Sequence, residues 1–67
     1  MEINLNDKVK EISAGTSVQF LMDECIGERQ KGIAVAINDQ VVPRSEWISK
    51  LLKEKDNVLI IKATQGG

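Results

Sequence analysis

The chain has 67 residues, with nine lysines and arginines against ten aspartates and glutamates, no histidine, and a formal net charge of −1. A chain of that size makes one domain, buries about 60% of the surface its unfolded form exposes, and leaves no room for a deep catalytic cleft. The interspersed charge excludes the basic stripe of a nucleic-acid binder, the absence of a long apolar run excludes a bilayer-spanning helix, and the single cysteine, Cys25, excludes an internal disulfide.

In chain order, "EINLN" alternates with Ile3 and Leu5 on one face and reads as a short strand. Asn6-Asp7 tolerates positive φ and turns the chain into a second strand, "KVKEI". There Val9 and Ile12 break strict alternation, so a bulge or bend is expected. A helix follows. Thr16 is the expected cap with Gln19 completing a capping box, and Val18, Leu21, Met22 and Cys25 make an apolar stripe at i, i+3, i+4 and i+7. Gly27 falls where a left-handed cap belongs. Phe20 lies off the stripe, where it covers a core edge or faces a partner.

"KGIAVAIN" has period two, with Ile33, Val35 and Ile37 on one face and Ala34 and Ala36 on the other. Asn38-Asp39 is a second turn, and "QVVPR" is a brief strand stopped by Pro43. "SEWISKLL" places Trp47, Ile48, Leu51 and Leu52 at helical spacing after Ser45, a plausible cap, and predicts one or two turns over the open end of the core. "VLIIKA" is the last strand, β-branched and strongly apolar. The order β-β-α-β-β-(short helix)-β requires a two-layer α+β fold. It is a mixed sheet of four to five strands with one main helix on one face, and the last strand lies centrally beside the first. Residues 1–67 form a single domain, with 64–67 an extended, flexible tail leaving the edge of the sheet.

The chemistry that the residues allow is narrow. No Cys/His set holds a metal, no Gly-rich loop between a strand and a helix cradles phosphate, and no nucleophile has a general base. Asp23-Glu24 reads as a solvated face. Cys25, on the apolar stripe, reads as a buried, inert thiol, and Trp47 as a structural residue. The remaining feature is the closing Gly66-Gly67. Two residues without Cβ atoms let the backbone thread a narrow tunnel in another protein. A carboxylate delivered there becomes electrophilic once it condenses with ATP to an acyl-adenylate. The catalyst is then the partner, and this chain is its co-substrate.

The stretches "IAVAINDQVVPRSEW" and "KDNVLIIKA", the closing "QGG", and an N-terminal "MEINLND" followed by "GTSVQFLM" resemble the ubiquitin-like β-grasp sulfur carriers, and more specifically the ThiS family of thiamine biosynthesis. The resemblance spans essentially the whole chain. Lys55-Asp56 stands where members often have Gly-Asp, a departure that concerns the turn and not the tail. Lys62-Ala63-Thr64-Gln65 stands where the molybdopterin-synthase small subunits usually carry prolines, which favours the thiamine branch. The resemblance implies that an E1-like enzyme adenylates the Gly67 carboxylate with ATP. It further implies that a persulfide from a cysteine desulfurase system converts the adenylate to a thiocarboxylate, and that thiazole synthase takes the sulfur. The expected protein is cytoplasmic, binds no cofactor of its own, and touches neither nucleic acid nor membrane.

Both faces of the last strand are apolar, and one helix covers one of them. Leu59 and Ile61, or the opposite pair Val58 and Ile60, are therefore candidates for an exposed docking patch, with Phe20 as a further candidate. The alternative is that the Trp47 segment and loops cover the second face. Other functional readings are delivery of sulfur to molybdopterin precursor or another acceptor, a ubiquitin-like modifier, and a non-catalytic binding module with an incidental tail.

Overall fold

Two Asn-Asp pairs organise the sheet. Asn6 and Asp7 have φ of 50° and 67°, and Asn38 and Asp39 have 51° and 70°. Positive φ at both central residues defines the two-residue turn whose twist matches a hairpin, and Asn and Asp are the side-chain-bearing residues that adopt it most cheaply. The first pair joins β1 (Glu2–Leu5) to β2 (Lys8–Glu11), and the second joins β3 (Ile33–Ile37) to β4 (Gln40–Val42). The computed structural model describes residues 1–27 and 32–62.

The last strand, β5 (Asn57–Lys62), lies between the two hairpins, so the five-stranded order is β2-β1-β5-β3-β4. β5 runs parallel to β1 and antiparallel to β3. This mixed sheet, crossed on one face by α1 (Val18–Cys25), the one α-helix among the described residues, is a β-grasp. The central place expected for the last strand is the one it takes. Val58, Val35 and Ile3 are fully buried beneath Val18, Leu21 and Met22 of the helix. Each such side chain contributes on the order of 1.5–3 kcal/mol relative to leaving it in water.

Several local expectations are corrected. β1 and β2 pair in unbroken register from Glu2–Glu11 to Leu5–Lys8, with no bulge. The two apolar residues of that segment lie on opposite faces by alternation alone: Ile12, which exchanges hydrogen bonds with Met1 at the end of the same ladder, faces the core, while Val9 stays on the far face. The helix cap is Ser17, not Thr16, and Ser17 Oγ accepts from the Phe20 N–H at 3.1 Å. Thr16 is committed elsewhere: its hydroxyl donates to the Ser13 carbonyl at 2.6 Å and its carbonyl accepts from the Leu52 N–H. Gln19 makes no capping box and donates to Asp23 Oδ1 one turn on. Gly27 follows the helix with φ of 77°, as expected of a left-handed terminus.

The segment after β4 is a 3₁₀ turn at Arg44–Glu46 preceded by Pro43, so Ser45 caps nothing. Beyond it the chain keeps turning as far as Lys50, whose N–H donates to the Glu46 carbonyl, and becomes extended at Leu51 alongside the helix entry. The Val18 N–H donates to the Lys50 carbonyl, and Leu51 bridges Ser17. Trp47 and Leu52 are therefore buried while Ile48 and Leu51 point outward, against the helical spacing read from the sequence. Trp47 Nε1–H donates to the Val42 carbonyl at 3.0 Å, and Arg44 lies over its ring, 5.0 Å from the centroid. Its role is structural, as expected.

Candidate functional site

β5 is the element that leads to the tail, and the molecule is built to hold it. Its Val58 and Ile60 face the helix and the core, while Leu59 and Ile61 face the other way. No element crosses that second face among the described residues, and Leu59 and Ile61 are 47% and 45% exposed. Register brings Ala36 opposite Leu59 and Ala34 opposite Ile61, and Val41 opposite Ala36 on the outer side. Val41 is 68% exposed. The result is an apolar strip across β5, β3 and β4, with alanines between the larger side chains. Small residues there let another surface approach the sheet closely.

Phe20, the other docking candidate, is 55% exposed on the outside of α1. The helix covers the opposite face of the sheet, so Phe20 and the Leu59–Ile61 strip do not belong to one surface. Cys25 is exposed, contrary to the buried position expected of it. The helix ends there, and Ile26, one residue on, turns inward against the core instead. Asp23 and Glu24 are solvated, as expected. Gly66 and Gly67, with the rest of 63–67, lie outside the described residues, as does the expected course of the tail.

Two residues that hold β5 escaped the sequence reading. Asn6 Oδ1 accepts from the Ile60 N–H at 2.8 Å, and Asn38 Oδ1 accepts from the Asn57 N–H at 3.0 Å. Each turn asparagine thus reaches back and ties the central strand to its neighbouring hairpin. The available signal was the choice of Asn rather than Gly at the first position of both turns. Asp56 completes the second tie: its carboxylate accepts from Asn38 Nδ2–H at 3.0 Å and from the Lys53 N–H at 2.8 Å. Lys55, where the resemblance led to an expectation of glycine, has φ of 69°, and its N–H reaches the Glu2 carbonyl at 2.6 Å. The turn geometry that a glycine would favour is therefore kept without one.

A cleft of about 250 Å³ lies at the opposite end of β5 from the tail, lined in part by Asn38, Gln40, Glu46, Lys50, Lys53 and Asp56. It brings no nucleophile together with a base. Among the described residues, no group of His, Cys, Asp and Glu is placed to hold a metal ion, and no helix is long and apolar enough to cross a membrane.

A family model described as the ThiS family matches residues 3–67. The chain is 36% identical over 67 residues to the sulfur carrier protein ThiS of Escherichia coli (strain K12), and the alignment covers 100% of both. The crystal structure of a thiamine biosynthesis protein (ThiS) from Geobacter metallireducens is similar with a TM-score of 0.86 at 20% identity, over 100% of each chain. An NMR solution structure of a thiamine biosynthesis protein from the same organism gives 0.80 at 20% identity, over 100% of this chain and 88% of that one. At such identity the two structures speak for the fold, and the curated relative and the family model for descent.

Proposed function

The chain belongs to the ThiS family, and on that ground we propose that it is a sulfur carrier of thiamine biosynthesis, a cytoplasmic protein co-substrate worked on by partner enzymes. The observation that carries this reading is the correspondence with a sulfur carrier along 100% of both chains, within a family match that runs to residue 67. The absence of histidine and the solvated acidic pair fit a chain that presents a reacting group and leaves catalysis to others.

The reacting group is the carboxylate of Gly67. An E1-like enzyme joins it to the α-phosphate of ATP and releases pyrophosphate. A persulfide, supplied through a cysteine desulfurase, attacks the acyl carbon and expels AMP. A second thiol then cleaves the S–S bond, forms a disulfide with the departing sulfur, and leaves a thiocarboxylate on Gly67. Thiazole synthase consumes that sulfur. Gly66 and Gly67 suit the threading step because a Cβ at either position would widen the chain inside a narrow channel. The Leu59–Ile61 strip serves as the docking surface, since it is apolar, exposed and on the strand that precedes the tail.

Intact-mass analysis after incubation with ATP, the adenylating enzyme and a sulfur source tests the reading. A Cys25→Ala background removes the competing thiol, and an alkylating reagent traps the product, because exchange of sulfur for oxygen nearly matches methionine oxidation in mass. A single alkylated species mapping to Gly67 is expected, and neither Gly67→Val nor a chain extended past Gly67 should yield it. Equal loading of the extended chain would overturn the proposal.

A further inference from the structure

β5 is longer than the neighbour on one of its sides. Against β3 it pairs along its length, from Ile37–Val58 to Ile33–Lys62. Against β1 the register holds Asn4–Asn57 and Leu5–Val58, and the Asn6 N–H then donates to the Val58 carbonyl at 2.9 Å. At that point Asn6-Asp7 turns the chain away into β2. Successive residues of a strand aim their backbone groups to alternate sides. Asn57 exchanges hydrogen bonds with Asn38 on the β3 side. Leu59 and Ile61 therefore also aim at β3, while Val58, Ile60 and Lys62 aim at the side that β1 occupies and then leaves.

On that side the Ile60 N–H is taken by Asn6 Oδ1. The Ile60 carbonyl and the Lys62 N–H form the next rung, and no described residue pairs with them. An acceptor and a donor at ladder spacing that no described residue takes meet the requirement for adding a strand. This rung lies immediately before the tail, on the same strand as the exposed Leu59 and Ile61. We propose that the open rung at Ile60 and Lys62 is a strand-addition slot, filled by an extended backbone segment of the adenylating enzyme along the line that β1 vacates. The inference rests on the sulfur-carrier reading and adds how the tail is aimed: a strand paired at Lys62 fixes the direction in which the following residues leave the sheet. The Lys62 side chain is exposed, and its charge opposes pairing of two copies through the same rung.

Amide hydrogen exchange with a ¹⁵N-labelled chain, free and saturated with the adenylating enzyme, tests the slot. In the free chain the Lys62 amide should exchange faster than those of Leu59 and Ile61, which β3 holds. In the complex it should slow by about tenfold or more, the worth of one backbone hydrogen bond. A comparison of Lys62→Pro with Lys62→Ala supplies the functional arm, because proline removes the N–H on the open side and leaves the β3 ladder intact. Lys62→Pro should bind the enzyme about tenfold more weakly than Lys62→Ala. An unchanged Lys62 amide in the saturated complex, equal affinity of the two variants, or Lys62 protection that rises with the concentration of the free chain would each overturn the slot. Loading of the native chain in the same assay separates the two readings. If the native chain is loaded and the variants match, the slot alone falls; if it is not loaded, the sulfur-carrier reading falls with it.

Discussion

Lys55 holds a left-handed backbone conformation, φ 69°, on the turn that feeds β5. A side chain with a Cβ costs roughly 1 kcal/mol there relative to glycine, and glycine's larger entropy in the unfolded chain returns part of that. Lys55→Gly should therefore raise stability by about 0.5–1 kcal/mol in urea denaturation. Asn6 separates two effects at one position. Its side chain ties Ile60, and its φ of 50° disfavours most other residues. Asn6→Gly keeps the turn and loses the tie, for a cost of about 1 kcal/mol, whereas Asn6→Ala also strains the backbone and should cost about 2. Comparable losses for the two variants would show that the tie to Ile60, and not the turn, dominates.

At the scale of the elements, the structure makes Ser17 the hydroxyl that begins the helix. Ser17→Ala should destabilise the protein by about 1 kcal/mol in thermal or chemical unfolding, the usual worth of an N-cap. Much of this level was legible in the residues. The Asn-Asp pairs, the i, i+3, i+4 spacing of Val18, Leu21 and Met22, and the β-branched run of β5 are local signals, and each produced the element it predicts. The cap, the Trp47 segment and Cys25 were not legible, because long-range contacts decide them. The Val18 N–H goes to the Lys50 carbonyl and the Leu52 N–H to the Thr16 carbonyl, contacts that fix the helix start at Val18 and so make Ser17 the cap. Those same contacts draw the backbone at Leu51 into extended form and turn Leu51 outward. Cys25 sits where the helix stops, and the choice between it and Ile26 as the inward residue depends on how the helix lies on the sheet.

At the scale of the whole molecule, one helix covers one side of five strands, and the other side keeps the Leu59–Ile61 strip in water. Periodicity showed that both sides of β5 are apolar but could not say which one the Trp47 segment would serve; the Trp47 indole goes to Val42 and the core. Leu59→Asp combined with Ile61→Asp should lower the unfolding free energy by no more than about 1–2 kcal/mol, since each side chain is about half exposed and the main loss is strand preference. The same variant should lower the rate of adenylation by the partner at least about tenfold through weaker docking, measured as carrier-dependent exchange of labelled pyrophosphate into ATP. Unchanged exchange kinetics would move the docking surface elsewhere.

The neighbours of β5 have a consequence during synthesis. The strand that joins the two hairpins is the last to be made, and its partner β1 is the first. While translation is under way, the emerging polypeptide holds two disconnected ribbons with a gap between them, and such two-stranded pieces are marginal in water. Carried clear of the ribosome on a C-terminal spacer, arrested chains that stop short of residue 62 should remain sensitive to protease along their whole length, and those that include it should become resistant in one step.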